Sequence, residues 1–407
     1  MSLPMTGIRI LEVAEHAFVP TAGAVLSDWG ADVVKVEHAQ RGDAMRGLAQ
    51  TGVVNLGDGV HVLNEHANRG KRSIGIDLTQ AEGREVLYKL ASTSDVFLTN
   101  KLPSVLEKLK IDIDDIRAHN PKIIYVRGTA FGPIGPHKNR GGYDMTAFWS
   151  RAGSAASATP PGLPFVVPQP GPAYGDSLGG MTIAGGIAGA LLKRERTGEP
   201  SVVDVSLLGT GTWAMGAGIA LGLQSGEPWS MAAAARGGGP SNPLTGIYKT
   251  SDDRFVSVVM LQAFKYWPDF CEHIGKPELA TDERFDSHEK LSDNAGEART
   301  LIGEVIAGGT LAEWTERFST LEGQWAPVQN SLEVAADPQV RANGYVVQTT
   351  TEDGTEFELV ASPVQFDEKP TATNRAPEFN EHGDGLLEEL GFEWERILEL
   401  KSTGAVT

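Results

Sequence analysis

The chain has 407 residues, of which 41% are hydrophobic and 22% charged, so a globular protein with two domains is expected. Its formal net charge of -18 argues against nucleic-acid binding, because phosphate backbones are held by basic surfaces. The single cysteine, Cys271, excludes an intramolecular disulfide and a cysteine-based metal cluster, and no metal site is predicted. The sequence shows neither a signal-peptide pattern nor an apolar run of membrane-spanning length, so the expected location is the cytoplasm.

The first part of the chain alternates short runs rich in Val and Ile with amphipathic segments. Strands are predicted at 7–13, 31–37, 73–77, 95–100 and 122–129, and helices at 21–28, 81–92 and 105–110. This alternation predicts an α/β fold with a Rossmann-like parallel sheet covered by helices. Ligands of such sheets bind at the carboxyl ends of the strands. The predicted ligand-binding segments are therefore those after Val13, Glu37, Asp77 and Asn100.

Two common nucleotide-binding motifs are missing from this sheet. The segment after the first strand reads AEHAFVPTAGAVL and contains no GxGxxG, so hydride transfer to a nicotinamide cofactor is disfavoured. A phosphate-binding P-loop sequence is also absent.

A long helix of small and apolar residues is predicted to follow Gly175-Asp176-Ser177 and to end at Thr197-Gly198. Asp176 at its start has two readings. It is either an N-cap that accepts backbone N–H bonds, or a carboxylate kept ionised by the helix dipole and open to a substrate. In the second reading Gly175, Gly179 and Gly180 would let a ligand approach the backbone, and Asp176 could act as nucleophile or base.

The segments that remain indicate where one predicted domain ends and the other begins. A Pro- and Gly-rich loop at 153–175 leads to Asp176, and a second loop at 225–246 carries Gly237, Gly238 and Gly239, which form either a linker or a flap over a site. A hairpin at 246–260 and helices at 265–274 and 311–321 predict a smaller α+β domain. The predicted domains are 1–224 with 331–407, and 225–330. Residues 383–400 are predicted to form one acidic helix.

Several motifs together resemble one family. They are, in chain order, GIRILEV, GADVVKVE, GD(x)2R at 42–46, NRGKRSIGIDL, GYD at 142–144, GDSLGG at 175–180, TGEPSVVDVSL, NPLTGIYKTSDDRF, DPQVRANGY, SPVQF and EHGDGLLEELGF. In this order and spacing they resemble the family III CoA-transferases, which include formyl-CoA, carnitine and 2-hydroxyacyl CoA-transferases and the related α-methylacyl-CoA racemases.

The resemblance implies a large Rossmann-like domain built from both ends of the chain, a small domain between them, and a homodimer of two interlocked subunits. It also implies that Asp176 is the catalytic aspartate, which forms aspartyl anhydride and aspartyl-CoA intermediates. The substrates would be an acyl-CoA and a small carboxylic acid, and no permanently bound cofactor is expected. Backbone N–H groups near 175–180 or 237–239 would stabilise the oxyanions.

Positions that match CoA-contacting positions of the family follow several strands. They are His16, Ala17, Phe18, His38, Ile76, Asp77, Leu78, Thr79, Asn100, Lys101, Lys108 and Tyr143. Without the motifs, each lysine would be interpreted as a solvated surface charge, and for His38 a purely structural role stays open beside the CoA contact. Phe148, Trp149 and Trp267 are candidates for an apolar acyl pocket, although such aromatic residues often belong to a core.

The same fold supports three functions. The racemases pair a histidine with the aspartate, and Tyr143 occupies that position here. A phenol with an ordinary pKa near 10 is a poor partner for reversible α-proton abstraction at neutral pH, so CoA transfer is favoured. The alternatives are an α-methylacyl-CoA racemase and a catalytically silent CoA-binding protein.

Overall fold

A computed structural model describes residues 3–51, 59–230 and 241–407. The chain forms two compact units. The first comprises Met1–Ala156, Phe165–Gly226 and Pro338–Thr407, and the second comprises Ser157–Pro164 and Glu227–Asp337. The sequence assigned 157–164 to the large domain, but this segment belongs to the second unit, where the Ser157 hydroxyl donates a hydrogen bond to the Trp229 carbonyl at 3.1 Å.

The first unit contains a six-stranded parallel sheet in the order β3-β2-β1-β4-β5-β6. Its strands are β1 (Arg9–Val13), β2 (Asp32–His38), β3 (Arg72–Ile76), β4 (Val96–Thr99), β5 (Ile124–Thr129) and β6 (Val202–Ser206). The predicted α/β class and parallel sheet are confirmed, and the first five strands are each found within two residues of their predicted bounds. The sixth strand was not predicted, because it is a half-exposed edge strand without a long apolar run.

Helices cover both faces of this sheet, as a parallel sheet requires. The helices of the first unit are α1 (Phe18–Asp28), α2 (Val62–Asn68), α3 (Ala81–Ser92), α4 (Pro103–Leu109), α5 (Ile113–His119), α6 (Ser154–Ala158, whose last two residues belong to the second unit), α7 (Tyr174–Thr197), α8 (Leu207–Ala214) and α9 (Gly216–Ser225). Alternate residues of β1 enter opposite cores. Leu11 joins the core with α3, whereas Ile10 joins the core with α1 and α7. Both faces are therefore apolar, which explains the continuous hydrophobic runs in the sequence.

The glycines of α7 have a different role from the one predicted. A Cβ atom on Gly179 would lie 2.3 Å from the Phe18 ring, and one on Gly180 would lie 2.8 Å from the Thr21 side chain. A Cβ atom on Gly175 would lie 2.6 Å from the Phe148 ring. The small residues thus allow α7 to pack closely on α1 and on the aromatic residue beneath its first turn, and they do not expose the backbone to a ligand.

The end of the chain contributes to the first unit a hairpin, β10 (Val346–Thr350) and β11 (Glu356–Val360), and two helices against the α3 face of the sheet. The predicted single helix at 383–400 is wrong. The structure has separate helices at Gly383–Glu389 and Trp394–Ser402, because Gly391 adopts φ 77° between them, a left-handed conformation that ends a helix.

The second unit has an antiparallel sheet in the order β7-β8-β9 (Thr245–Lys249, Phe255–Val259 and Trp325–Pro327). Its helices are α10 (Ala263–His273), α11 (His288–Asp293), α12 (Ala295–Ile306), α13 (Leu311–Arg317) and α14 (Ser331–Ala336), and α15 (Pro338–Ala342) begins the return to the first unit. Cys271 and Trp267 are buried in the core of this second unit. No helix in the described ranges is long and apolar enough to span a bilayer.

Candidate active site

A cavity of about 180 Å³ lies at the carboxyl ends of the central strands of the first unit. The strand order reverses between β1 and β4, and the crevice outside such a reversal is where open α/β sheets bind ligands. The residues that line the cavity come from the end of β5, from the segments that follow β1, β4 and β5, and from the starts of α1, α7 and α8. They are His16, Phe18, Asn100, Lys101, Leu102, Gly128, Thr129, Ala130, Gly141, Gly142, Tyr143, Asp176 and Leu207.

A larger cavity of about 750 Å³ lies elsewhere in the same unit, between α2 and the β10–β11 turn. It contains none of the site residues predicted from the sequence. Its lining includes the carboxylates of Glu65, Glu352, Asp353 and Glu378, which would repel a ligand that carries phosphates. The smaller cavity is therefore the better candidate.

Asp176 occupies the third position of α7 and is not its N-cap. The helix begins at Tyr174, and Ala173 holds the cap position without a side-chain hydrogen bond. The described residues provide no hydrogen-bond partner for the Asp176 carboxyl group, which lines the cavity. The structural alternative, a carboxylate occupied with its own helix, is therefore wrong, and the group remains available to a ligand.

The environment of Asp176 does not favour the ionised state that the sequence predicted. Burial raises the pKa of this carboxyl group, and the negative charge of nearby Asp144 raises it further, to about 8. Burial and a like charge thus oppose the ionisation that the helix dipole favours. At neutral pH most Asp176 side chains in the free protein therefore carry a proton.

Asn100 holds the loop after β1. Its side-chain amide donates to the Glu15 carbonyl at 2.7 Å and accepts from the Glu15 backbone N–H at 3.2 Å. These two bonds connect the segments that follow β1 and β4, on either side of the crevice. Asn100 therefore shapes the wall of the cavity as well as lining it.

Lys101 supplies a cation at the cavity. Its ammonium group lies 2.9 Å from the Glu15 carboxylate, which is also 3.8 Å from the Arg41 guanidinium. The Lys101 side chain is 21% exposed, so it is accessible from solvent. An incoming phosphate or carboxylate would have to compete with Glu15 for this charge.

The other predicted CoA-contacting residues do not line this cavity. His38 and Ile76 are register partners at the ends of β2 and β3, on the same edge of the sheet as the cavity. Ile76 and Leu78 are core residues, and Asp77 accepts hydrogen bonds from the Thr79 backbone and hydroxyl at 2.9 and 2.6 Å. Ala17 precedes the first turn of α1 and is buried, whereas Lys108 is exposed on α4.

Comparison with known proteins decides the family. The model of CoA-transferase family III matches residues 5–383. The chain belongs to this family. (R)-2-hydroxy-4-methylpentanoate CoA-transferase from Clostridioides difficile is 29% identical over 404 residues, 99% of both chains. Cinnamoyl-CoA:phenyllactate CoA-transferase from Clostridium sporogenes is 30% identical over 398 residues, 97% of this chain and 95% of the relative.

Solved structures show the same fold. A crystal structure of Rv3272 from Mycobacterium tuberculosis matches with a TM-score of 0.79 and 27% identity, and covers 95% of this chain and 99% of that one. A CAIB/BAIF family protein from Brucella suis also matches with a TM-score of 0.79 and 27% identity, and covers 96% and 100%. The family III member described here is thus an enzyme that transfers CoA, which argues against a catalytically silent binding protein.

Three features of this transferase lay beyond the sequence reading. Thr129 and Ala130 line the cavity from the end of β5, and this strand end was predicted but not considered as a ligand site. Asp144 was not singled out, because its electrostatic effect on Asp176 depends on proximity in space. Leu207 reaches the cavity from the start of α8, which follows the unpredicted sixth strand.

The proposed acyl-pocket residues are not found at the cavity. Phe148 is buried beneath Gly175, and the Trp149 indole donates to the Val167 carbonyl at 2.9 Å. Trp267 is fully buried in the second unit and donates to the Leu279 carbonyl. The candidate flap residues Gly237, Gly238 and Gly239 lie outside the described residues.

Proposed function

We propose that the enzyme transfers CoA from an acyl-CoA to a free carboxylic acid through covalent intermediates on Asp176. The ionised carboxylate attacks the thioester carbonyl, the C–S bond breaks, and a mixed aspartyl anhydride and CoA thiolate result. The thiolate attacks the aspartyl carbonyl, releases the donor acid as a carboxylate and leaves aspartyl-CoA. The acceptor carboxylate then forms a second anhydride and frees the thiolate, which attacks the acceptor carbonyl and regenerates Asp176.

One observation carries this proposal. The Asp176 carboxyl group lies without a hydrogen-bond partner among the described residues, in a crevice at the topological switch point of a CoA-transferase. A carboxylate needed only for stability would be expected to accept hydrogen bonds or to form an ion pair. A nucleophile must instead present an unoccupied oxygen to the reacting carbonyl.

The CoA moiety is proposed to extend from this cavity along the edge of the sheet. His16, Phe18, Asn100, Lys101 and Tyr143 line the reactive end. The adenine end would lie toward the neighbouring strand ends, near the other residues expected to contact CoA, which are His38, Ala17, Lys108 and the Ile76–Thr79 segment. Lys101 or Lys108 would lie near a phosphate. Gly237–Gly239 are proposed as the flap, and two subunits as an interlocked dimer.

The acceptor is proposed to be a 2-hydroxy acid with a branched or aromatic side chain. The two relatives described above act, by their names, on 2-hydroxy-4-methylpentanoate and on phenyllactate. Both acids place a hydroxyl group beside the carboxylate. Tyr143 and Thr129, which line the cavity, offer hydroxyl groups that can donate to or accept from such a substituent.

The test is to trap the covalent intermediate. The enzyme is incubated with an acyl-CoA and then with hydroxylamine, and peptides are analysed by mass spectrometry. The hydroxamate should appear on Asp176, and Asp176→Ala should abolish both the label and CoA exchange. Ser177→Ala is the matched control, because it removes the adjacent nucleophilic side chain, and it should retain the label. Normal transfer by Asp176→Ala would refute the proposal.

Racemisation remains the second candidate for one reason. Tyr143 replaces the racemase histidine, yet His16 brings an imidazole to the same cavity as Asp176. Incubation of a chiral 2-methylacyl-CoA in deuterated water separates the two functions. Uptake of deuterium at the α-carbon with loss of chirality, without an acceptor acid, would favour racemisation.

A further inference from the structure

The loop between β1 and α1 is held in place by side chains rather than by regular secondary structure. The Thr99 hydroxyl donates to the Val13 carbonyl at 2.8 Å, and the Lys35 ammonium donates to the Ala14 carbonyl at 3.0 Å. Asn100 forms the two bonds to Glu15 described above. These contacts come from the strands on both sides of β1, so they fix the loop that forms one wall of the cavity.

His16 lies in this loop, two residues before α1, and has an unusual backbone conformation. Its φ angle is 68°, in the left-handed region that residues other than glycine adopt only at a cost in free energy. Its backbone N–H donates to Asp43 Oδ1 at 2.9 Å, and this carboxylate oxygen also accepts from the Met45 N–H at 2.8 Å. The contact with Asp43 therefore helps to maintain a conformation that His16 would not favour in isolation.

Asp43 is itself held by a buried ion pair. The Lys35 Nζ atom lies 2.7 Å from Asp43 Oδ2 and 3.0 Å from Glu12 Oε1, and its third donor goes to Ala14. All three charged side chains are fully buried. Burial raises the pKa of Asp43, but the Lys35 charge and the hydrogen bonds from Lys35, Met45 and His16 together hold it below its usual value, so the carboxylate stays ionised.

The conformation of His16 matters for the cavity. The His16 side chain lines the cavity together with Asp176, and its ring makes an edge-on contact with Tyr143 at a centroid distance of 5.5 Å. A right-handed backbone at this position would turn the imidazole in another direction. The direction of the side chain thus depends on a hydrogen bond made behind the cavity wall.

We propose that Asp43 and Lys35 are positioning residues for acyl-CoA binding, which act by holding His16 in its left-handed conformation. Neither side chain lines the cavity, so both act through the loop. This inference rests on the proposed function, because it takes the Asp176 cavity as the acyl-CoA site.

The test compares two substitutions of Asp43. Asp43→Ala removes the acceptor of the His16 N–H, so His16 can relax from its strained left-handed conformation. The KM for acyl-CoA should rise about tenfold, with a smaller change in kcat. Asp43→Asn keeps an acceptor oxygen and should restore most of the affinity. Asp32→Ala, which removes an ion-paired carboxylate at the opposite end of β2, is the matched control and should leave the KM unchanged.

The outcomes separate this inference from the proposed function. An unchanged KM in folded Asp43→Ala, or an equal loss in Asp43→Asn and Asp43→Ala, would overturn the positioning role. Absence of a hydroxylamine label on Asp176 in the wild-type enzyme would instead overturn the proposed function. If Asp43→Ala does not fold, hydrogen exchange of the unaltered protein gives the answer. The His16 amide should exchange slowly in the free enzyme, and rapid exchange would refute the hydrogen bond on which the inference depends.

Discussion

The pKa of Asp176 leads to a prediction about the pH dependence of the first chemical step. Only the ionised carboxylate can attack a thioester, and the pKa of about 8 means that little of it is ionised at neutral pH. The ionised fraction is roughly 1% at about pH 6 and about one half at about pH 8. The second-order rate of acylation should therefore rise about 50-fold across this interval.

Asp144→Asn should shift this profile to lower pH. The substitution removes the negative charge of Asp144, which raises the pKa of Asp176 in addition to the larger effect of burial. It keeps one oxygen, which can still accept from the Met145 backbone N–H that contacts Asp144 Oδ1 at 2.7 Å, whereas the hydrogen bond from the Gln169 side chain to Oδ2 at 2.9 Å is lost. A decrease of one unit in the pKa would increase the rate at about pH 6 roughly tenfold.

The assay is single-turnover acylation at sub-saturating acyl-CoA without an acceptor, with rapid quenching and mass spectrometry of the hydroxamate. Under these conditions the profile reports the ionisation of the free enzyme. Asp32→Asn is the control, because it removes the same charge at the far end of the sheet and should leave the profile unchanged. A flat profile between about pH 6 and 8, or a shift to higher pH in Asp144→Asn, would refute the electrostatic reasoning.

Three further results are expected. Glu15→Gln removes the carboxylate that lies 2.9 Å from the Lys101 ammonium group. The KM for acyl-CoA should fall up to about fivefold at low ionic strength and less in high salt. An increase in the KM would contradict the competition between Glu15 and the substrate for the Lys101 charge. Gly179→Ala should destabilise the protein by about 1–3 kcal/mol in thermal or denaturant unfolding, because the added Cβ would lie 2.3 Å from the Phe18 ring. Gly189→Ala, on the open face of the same helix, is the control and should be neutral or stabilising. Equal effects of the two substitutions would disprove the packing argument. The pKa of Asp176 is higher in the folded than in the unfolded chain, so between about pH 4 and 8 the folded state holds a proton that the unfolded state has lost, and wild-type stability falls as pH rises through that window. The Tm of Asp176→Asn relative to wild type should therefore increase with pH. A difference in Tm that does not change with pH would contradict the raised pKa.

The sequence by itself determined the α/β class, the first five strands of the sheet and the family of the enzyme. These features depend on local patterns, namely short Val- and Ile-rich runs that alternate with amphipathic segments, and motifs whose order along the chain survives without knowledge of contacts. Asp176 could be chosen as the candidate nucleophile because the GDSLGG segment matches a motif of the family, whereas its position near the start of a predicted helix left an N-cap open as the alternative.

Only the tertiary structure decided the environment of that residue. The sequence predicted an ionised carboxylate, but burial and Asp144, which lies 32 positions earlier in the chain, raise its pKa to about 8. The glycines at 179 and 180 pack against α1, and the His16 backbone N–H donates to Asp43, a partner contributed by the loop after β2. Burial, like-charge repulsion and close packing all depend on distances between residues that are remote in sequence, and such distances exist only once the chain has folded.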